Sequence, residues 1–133
     1  MSIATVFSRA IVGTQAQVIT VEVHLSNGLP SMSIVGMAET AVKESKDRVR
    51  SALINAQFNF PQSRVTINLA PADLPKESGR FDLPIAIGIL TASGQIPSES
   101  IRDKEFIGEL GLTGELRSVQ GVLPSALAVS KNG

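Results

Sequence analysis

The sequence predicts an α/β domain of the two-layer α+β kind, a mainly antiparallel sheet with helices packed on one face. Three observations carry that expectation. The residues up to Val35 alternate as strands do, the stretch from Ala38 to Gln57 is amphipathic and unbroken by Gly or Pro, and the segment after Asp82 is almost wholly apolar.

Ser2 to Val12 and Ala16 to Leu25 are rich in Val, Ile and Thr, and Gly13-Thr14 between them reads as the turn of a hairpin. In the second run Ile19, Val21, Val23 and Leu25 alternate with Val18, Thr20, Glu22 and His24, so one face is apolar and the other mixed. That is the pattern of a sheet covered on one side. Asn27-Gly28-Leu29-Pro30 is a turn cluster, and Ser31 to Val35 is a third strand ending at Gly36. Three strands compatible with antiparallel pairing thus come first.

In the stretch from Ala38 to Gln57, Ala41, Val42, Ser45, Val49, Ala52, Leu53 and Ala56 recur at three- and four-residue steps, a helix whose small inward residues suit close packing on a sheet. Phe58-Asn59-Phe60-Pro61 ends it. Arg64 to Leu69 is a strand with Val65, Ile67 and Leu69 on one face, and a long loop follows from Ala70 to Phe81. Asp82 stands as an N-cap with Pro84 in the first turn, opening a segment that runs to Gly94. A helix apolar all round is buried on all sides. Glu105 to Leu110 and Glu115 to Val119, joined at Leu112-Thr113-Gly114, read as a second hairpin, and Ser125 to Lys131 begins another helix. The chain stops at Gly133 within helical sequence, so residues 1–133 are expected to be one domain of a longer protein.

Composition narrows the chemistry. There are 12 Lys plus Arg against 12 Asp plus Glu, one His and no Cys. Without cysteine there are no disulfides, thiolate zinc sites, iron–sulfur clusters or cysteine nucleophiles. A formal net charge of zero and a pI near 6.6 lack the basic excess of a free-standing nucleic-acid binder, although a local basic patch is compatible with them. The apolar run Leu83 to Ala92 is broken by Pro84 and Gly88 and is far short of the ~20 residues that cross a bilayer. No cationic stretch precedes an apolar one at the amino terminus, so a cytoplasmic location without membrane partners is expected.

No Gly-Lys pair occurs, which excludes a phosphate-binding loop of the Walker type within this chain. Gly108, Gly111 and Gly114 fall at a hairpin and read as turn glycines. His24 has neither a second His nor a Cys to share a metal or a triad with. The densest polar constellation is Pro75-Lys76-Glu77-Ser78-Gly79-Arg80-Phe81-Asp82. Ser78 with Lys76 or Lys131 is one reading, a hydroxyl activated by a desolvated amine. The other has Arg80 and Asp82 tying the loop to the helix start. On the long helix Lys43, Lys46 and Arg50 form one basic stripe opposite the apolar one, with Glu39, Glu44 and Asp47 between them. It is either a solvated face or a DNA-contacting one.

Three segments carry a family resemblance. Met32 to Pro61, the segment L-P-K-E-S-G-R-F-D-L-P-I-A-I-G-I-L from Leu74, and G-E-L-G-L-T-G-E-L-R from Gly108 resemble, in this order, the amino-terminal domain of the ComM/YifB family of magnesium-chelatase-like AAA+ ATPases. The resemblance covers essentially the whole chain. Ala38-Glu39 departs from it, standing where a proline-containing turn is expected before the helix. The resemblance implies an AAA+ motor beyond residue 133 that binds ATP and Mg, a homo-hexamer, and branch migration of DNA during natural transformation and recombination. No cofactor is implied for the present chain.

The order of elements is similar, more distantly, to the Lon protease domain and the carboxy-terminal domain of the recombination ATPase RadA. Lon's catalytic serine would fall on Arg80 or Phe81 here, and its lysine on Leu123, so both members of the dyad are missing. The expected function is therefore a non-catalytic module acting in oligomer assembly, in contact with single-stranded or branched DNA, or both. Lys43, Lys46 and Arg50 are the candidate phosphate contacts, with Lys76 and Arg80 as a second patch. A Ser/Lys hydrolase using Ser78 and Lys76 is the alternative. A third reading, magnesium insertion, finds only scattered carboxylates: Glu22, Asp73, Glu77, Asp82, Glu99, Asp103 and Glu105.

Overall fold

A computed structural model describes residues 2–12, 15–71 and 79–117. Strands β1 (Ser2–Val12) and β2 (Gln15–Ser26) pair antiparallel from Ser2 opposite Leu25 to Val12 opposite Gln15. The pairing brackets the expected turn Gly13-Thr14, which lies outside the described residues. β3 (Ser31–Val35) and β4 (Arg64–Ala70) complete a four-stranded sheet of order β1-β2-β4-β3.

The third strand is not antiparallel. β3 pairs parallel with β4, Ile34 opposite Ile67, and forms one edge of the sheet. The reason is the helix between them, α1 (Glu39–Asn55), a crossover long enough to bring the chain back to the starting end of β3. The sheet is thus mostly antiparallel with helices on one face. Ile19, Val21, Val23, Val65, Ile67 and Leu69 are all inaccessible to solvent on that face, as their alternation predicts. Val18 and Val35 alternate to the other face and are exposed.

Helix α1 buries Ser45, Val49, Ala52 and Leu53, and α2 (Asp82–Ala92) buries residues around most of its circumference. α2 lies across β1 and β2, while α1 packs on β3 and α2. Both helices end in the same hydrogen-bonded motif. After α1 the amide of Gln57 donates to Ile54 O and that of Phe58 to Leu53 O; after α2 Gly94 donates to Thr91 O and Gln95 to Leu90 O. This closure needs a left-handed residue, here Gln57 at φ 71° and Gly94 at φ 79°.

The expected second hairpin is described in part. Among the described residues β5 (Glu109–Leu110) and β6 (Leu116–Arg117) pair antiparallel, Leu110 opposite Leu116. The residues before β5 instead run along the free edge of β1: Glu105 bridges Phe7 in parallel, and the Phe106 amide donates to Phe7 O at 2.9 Å. Arg9 fixes this crossing with a two-pronged ion pair to Glu105, at 2.6 and 2.9 Å. The expected helix Ser125 to Lys131, and the strand residues past Arg117, lie outside the described residues.

Candidate nucleic-acid interface

The outer face of α1 carries the basic row. Lys43, Lys46 and Arg50 stand at i, i+3 and i+7, and so share a face spanning about 10.5 Å along the axis at 1.5 Å per residue. Lys43 and Arg50 are exposed and Lys46 is half-buried. Among the described residues neither lysine has a carboxylate within ion-pair distance. Glu44 turns aside to Arg48 on the flank of the helix, at 3.7 Å, so Asp47 is the acid that lies between the cations.

Arg50 is held by an aromatic ring. Its guanidinium carbon lies 5.2 Å from the centre of Phe60, an attraction between a cation and the negative face of the ring. Phe60 follows the closing turn of α1 and leads into β4, so the chain reversal that ends the helix also brings the ring beneath its basic face. Two depressions meet along this face. One is broad, lined by Glu39, Thr40, Val42 and Lys43. The other, of about 260 Å³, lies between α1 and the start of β3 and is lined by Ser31, Met32, Arg50 and Phe60. Lys46 and Asp47 line both.

The second patch is arranged differently. Arg80 is only 5% exposed, in a single 3-10 turn (Gly79–Phe81) leading into α2, whereas the α1 row faces solvent. Burial pulls its guanidinium below the ordinary arginine value. Lys76 and Ser78 lie outside the described residues, as do Lys131 and Leu123.

Asp82 is not the expected N-cap. It is the first residue of α2, Phe81 occupies the cap position, and no side chain caps the helix. The α2 amide of Leu83 is instead satisfied by Gly108 O at 2.9 Å, and Gly108 N–H by Arg80 O. The Asp82 carboxylate turns the other way, into α1, where it accepts from Ser45 Oγ at 2.7 Å and Arg48 Nε at 2.6 Å. It also accepts the Leu110 amide at 3.1 Å. Burial pushes the Asp82 carboxyl above its usual range, and the hydrogen bonds from Arg48, Ser45 and Leu110 work against that rise. One buried acid therefore locks α1, α2 and β5 together, and with them the inner side of the helix that presents the basic row.

Among the described residues no three His, Asp or Glu side chains gather where they could hold a metal ion. No helix among them is long and apolar enough to cross a membrane.

Residues 21–133 match the family described as subunit ChlI of Mg-chelatase. The chain is 61% identical over 132 residues to the competence protein ComM of Haemophilus influenzae, covering 99% of this chain and 26% of that protein. It is 54% identical over all 133 residues to the YifB proteins of Salmonella typhimurium and Escherichia coli, again spanning 26% of their length. This agrees with the resemblance carried by the three sequence segments. The chain belongs to the ChlI-type, magnesium-chelatase-like family, of which it spans about a quarter of the length of its ComM and YifB relatives.

Proposed function

We propose that the chain is a non-catalytic module of a longer magnesium-chelatase-like AAA+ ATPase and that it contacts single-stranded or branched DNA through the outer face of α1. The observation that carries this reading is the row Lys43, Lys46 and Arg50, exposed or half-exposed on one helix face above a depression. Contacts from lysine and arginine to phosphate are independent of sequence, which suits a machine working on any strand. The name of the Haemophilus relative, a competence protein, is in keeping with a DNA substrate.

ATP hydrolysis with Mg, hexamer formation and strand displacement are assigned in this proposal to the remaining length of the protein, with this domain docked on that motor. Lys76 stands as a second phosphate contact. The non-catalytic reading is in keeping with Arg80 and Phe81, the two positions on which the resemblance to Lon would put its serine, since neither carries a hydroxyl and both are buried.

The test is charge reversal of Lys43, Lys46 and Arg50 together in the full-length protein, read as unwinding of forked DNA. Loss of unwinding with ATP hydrolysis retained is the expected result. Unchanged unwinding would assign DNA contact to another surface.

A further inference from the structure

The depression between α1 and the start of β3 has features that a phosphate-binding row does not require. Its volume, about 260 Å³, lies just below the range of pockets that take drug-sized ligands. It therefore suits one small planar group rather than a folded partner. Its walls are of two kinds. Met32 and Phe60, both partly buried against the core, supply apolar surface, and Lys46 and Arg50 supply positive charge. Arg50 lies over the Phe60 ring, so a guanidinium plane and an aromatic ring, the two side-chain surfaces on which unpaired bases stack, occur together. Asp47 adds a carboxylate, an acceptor with no donor bonded to it among the described residues.

A phosphate does not need Met32 or Phe60 and is repelled by Asp47. An unpaired base uses all three, because its faces are apolar and the amino group of cytosine, adenine or guanine donates to a carboxylate. We propose that this depression is a single-base pocket: it receives one unpaired base of a DNA single strand against Met32 and the stacked pair of Arg50 and Phe60, with Lys46 on a flanking phosphate and Asp47 accepting from the exocyclic amine. The proposal rests on the DNA-contact reading above and adds where, and in what form, the strand is held. It makes the strand preference a consequence of the site, since a paired base has neither face nor amine free. It also gives thymine, whose edge at this position is a carbonyl acceptor, the weakest fit.

The experiment is fluorescence anisotropy of the 133-residue chain at low salt with labelled oligo(dC), oligo(dT) and an abasic oligomer of the same length. The expected order is oligo(dC), then oligo(dT), then the abasic strand, with about tenfold between first and last, the scale of one stacked base. Asp47→Asn, whose amide can either accept from cytosine's amine or donate to thymine's carbonyl, is expected to bring oligo(dC) and oligo(dT) to equal affinity. Phe60→Leu keeps apolar contact with the core but removes the ring, and is expected to bring oligo(dC) within about threefold of the abasic strand. Equal binding of the abasic strand and oligo(dC) by the wild type would overturn the pocket and leave the phosphate row standing. Equal displacement of oligo(dC) by polyglutamate of matched charge would overturn it too, marking a surface for any polyanion. No binding of any strand would overturn the DNA-contact reading itself.

Discussion

The carboxylate of Asp82, wholly inaccessible to solvent, lies 2.6 Å from Nε of Arg48, a residue of the other helix and 34 positions earlier in the chain. Burying a carboxylate is costly unless it is paired and hydrogen-bonded, and here a charged partner, a hydroxyl and a backbone amide together offset the cost. Removing the charged partner leaves the acid uncompensated. Arg48→Met is therefore expected to destabilise the domain by about 3 kcal/mol in urea unfolding at neutral pH.

The same pair sets a pH dependence. Asp82 is raised above its unfolded value, so the folded state holds a proton that the unfolded state has released over the interval between those two values. In that interval stability falls as pH rises, and below the unfolded value the contribution is fully present. Without Arg48 the carboxyl rises further and the interval widens. The loss caused by Arg48→Met is thus expected to be smaller at pH 5 than at pH 7.5. An equal loss at both would show that the carboxylate does not carry the effect.

Gly88 packs α2 tightly against β1 and β2. A Cβ added there would stand 2.5 Å from Cγ2 of Val23, itself without solvent exposure and so without room to move. Gly88→Ala gains helix propensity but overpacks the core, and the second effect is the larger, a net loss of about 1–2 kcal/mol. Val23→Ala in the same chain is expected to recover part of that loss, a non-additivity that a double-mutant cycle measures.

Arg9 is 3% exposed and its guanidinium, raised by the hydrogen bond to Glu105, has that carboxylate as its charged partner. Glu105→Gln leaves the cation buried without an anion, at a cost of about 2 kcal/mol given that the glutamate side is partly exposed. Because Glu105 fastens its segment to the edge of β1, the Phe106 amide is expected to exchange hydrogen faster while amides of β2 and β4 keep their protection. Uniform acceleration across the sheet would contradict a local fastening.

Gln57 occupies the left-handed position that closes α1, where a side chain costs about 1 kcal/mol relative to glycine. Gln57→Gly also loosens the unfolded chain, which opposes part of the gain. A net stabilisation of about 0.5 kcal/mol in urea unfolding is expected, against a loss if the closing turn were not formed.

Much of this fold is legible in the sequence because each pattern reports on one element at a time. The alternation of Ile19, Val21, Val23 and Leu25 names the buried face of β2, and the three- and four-residue steps from Ala41 to Leu53 place the helix within two residues of its observed ends. Gly94 marks the end of α2 because the closing turn requires positive φ there. What is not legible is which element meets which. Period-two alternation says which face of β3 is inward but not that its neighbour is β4, and local spacing at Asp82 suggests a cap because its partners Ser45 and Arg48 are 37 and 34 residues away. In the candidate site the basic row is visible at helical spacing. The ring of Phe60 beneath Arg50 is not, since it depends on the turn after the helix. Arg80 shows the converse: local sequence is compatible with a tie to the helix start or with a phosphate contact, and only packing decides that its side chain is buried.

The central claim is that the α1 row supplies phosphate contacts. Its most direct test is the anisotropy of the 133-residue chain with labelled single-stranded and forked DNA across a salt series, compared with the chain in which Lys43, Lys46 and Arg50 are changed to glutamate. Three contacts on a single strand predict a log–log slope of about −2, lost in the substituted chain along with most of the affinity. Binding with the same slope and affinity in both chains would contradict the claim.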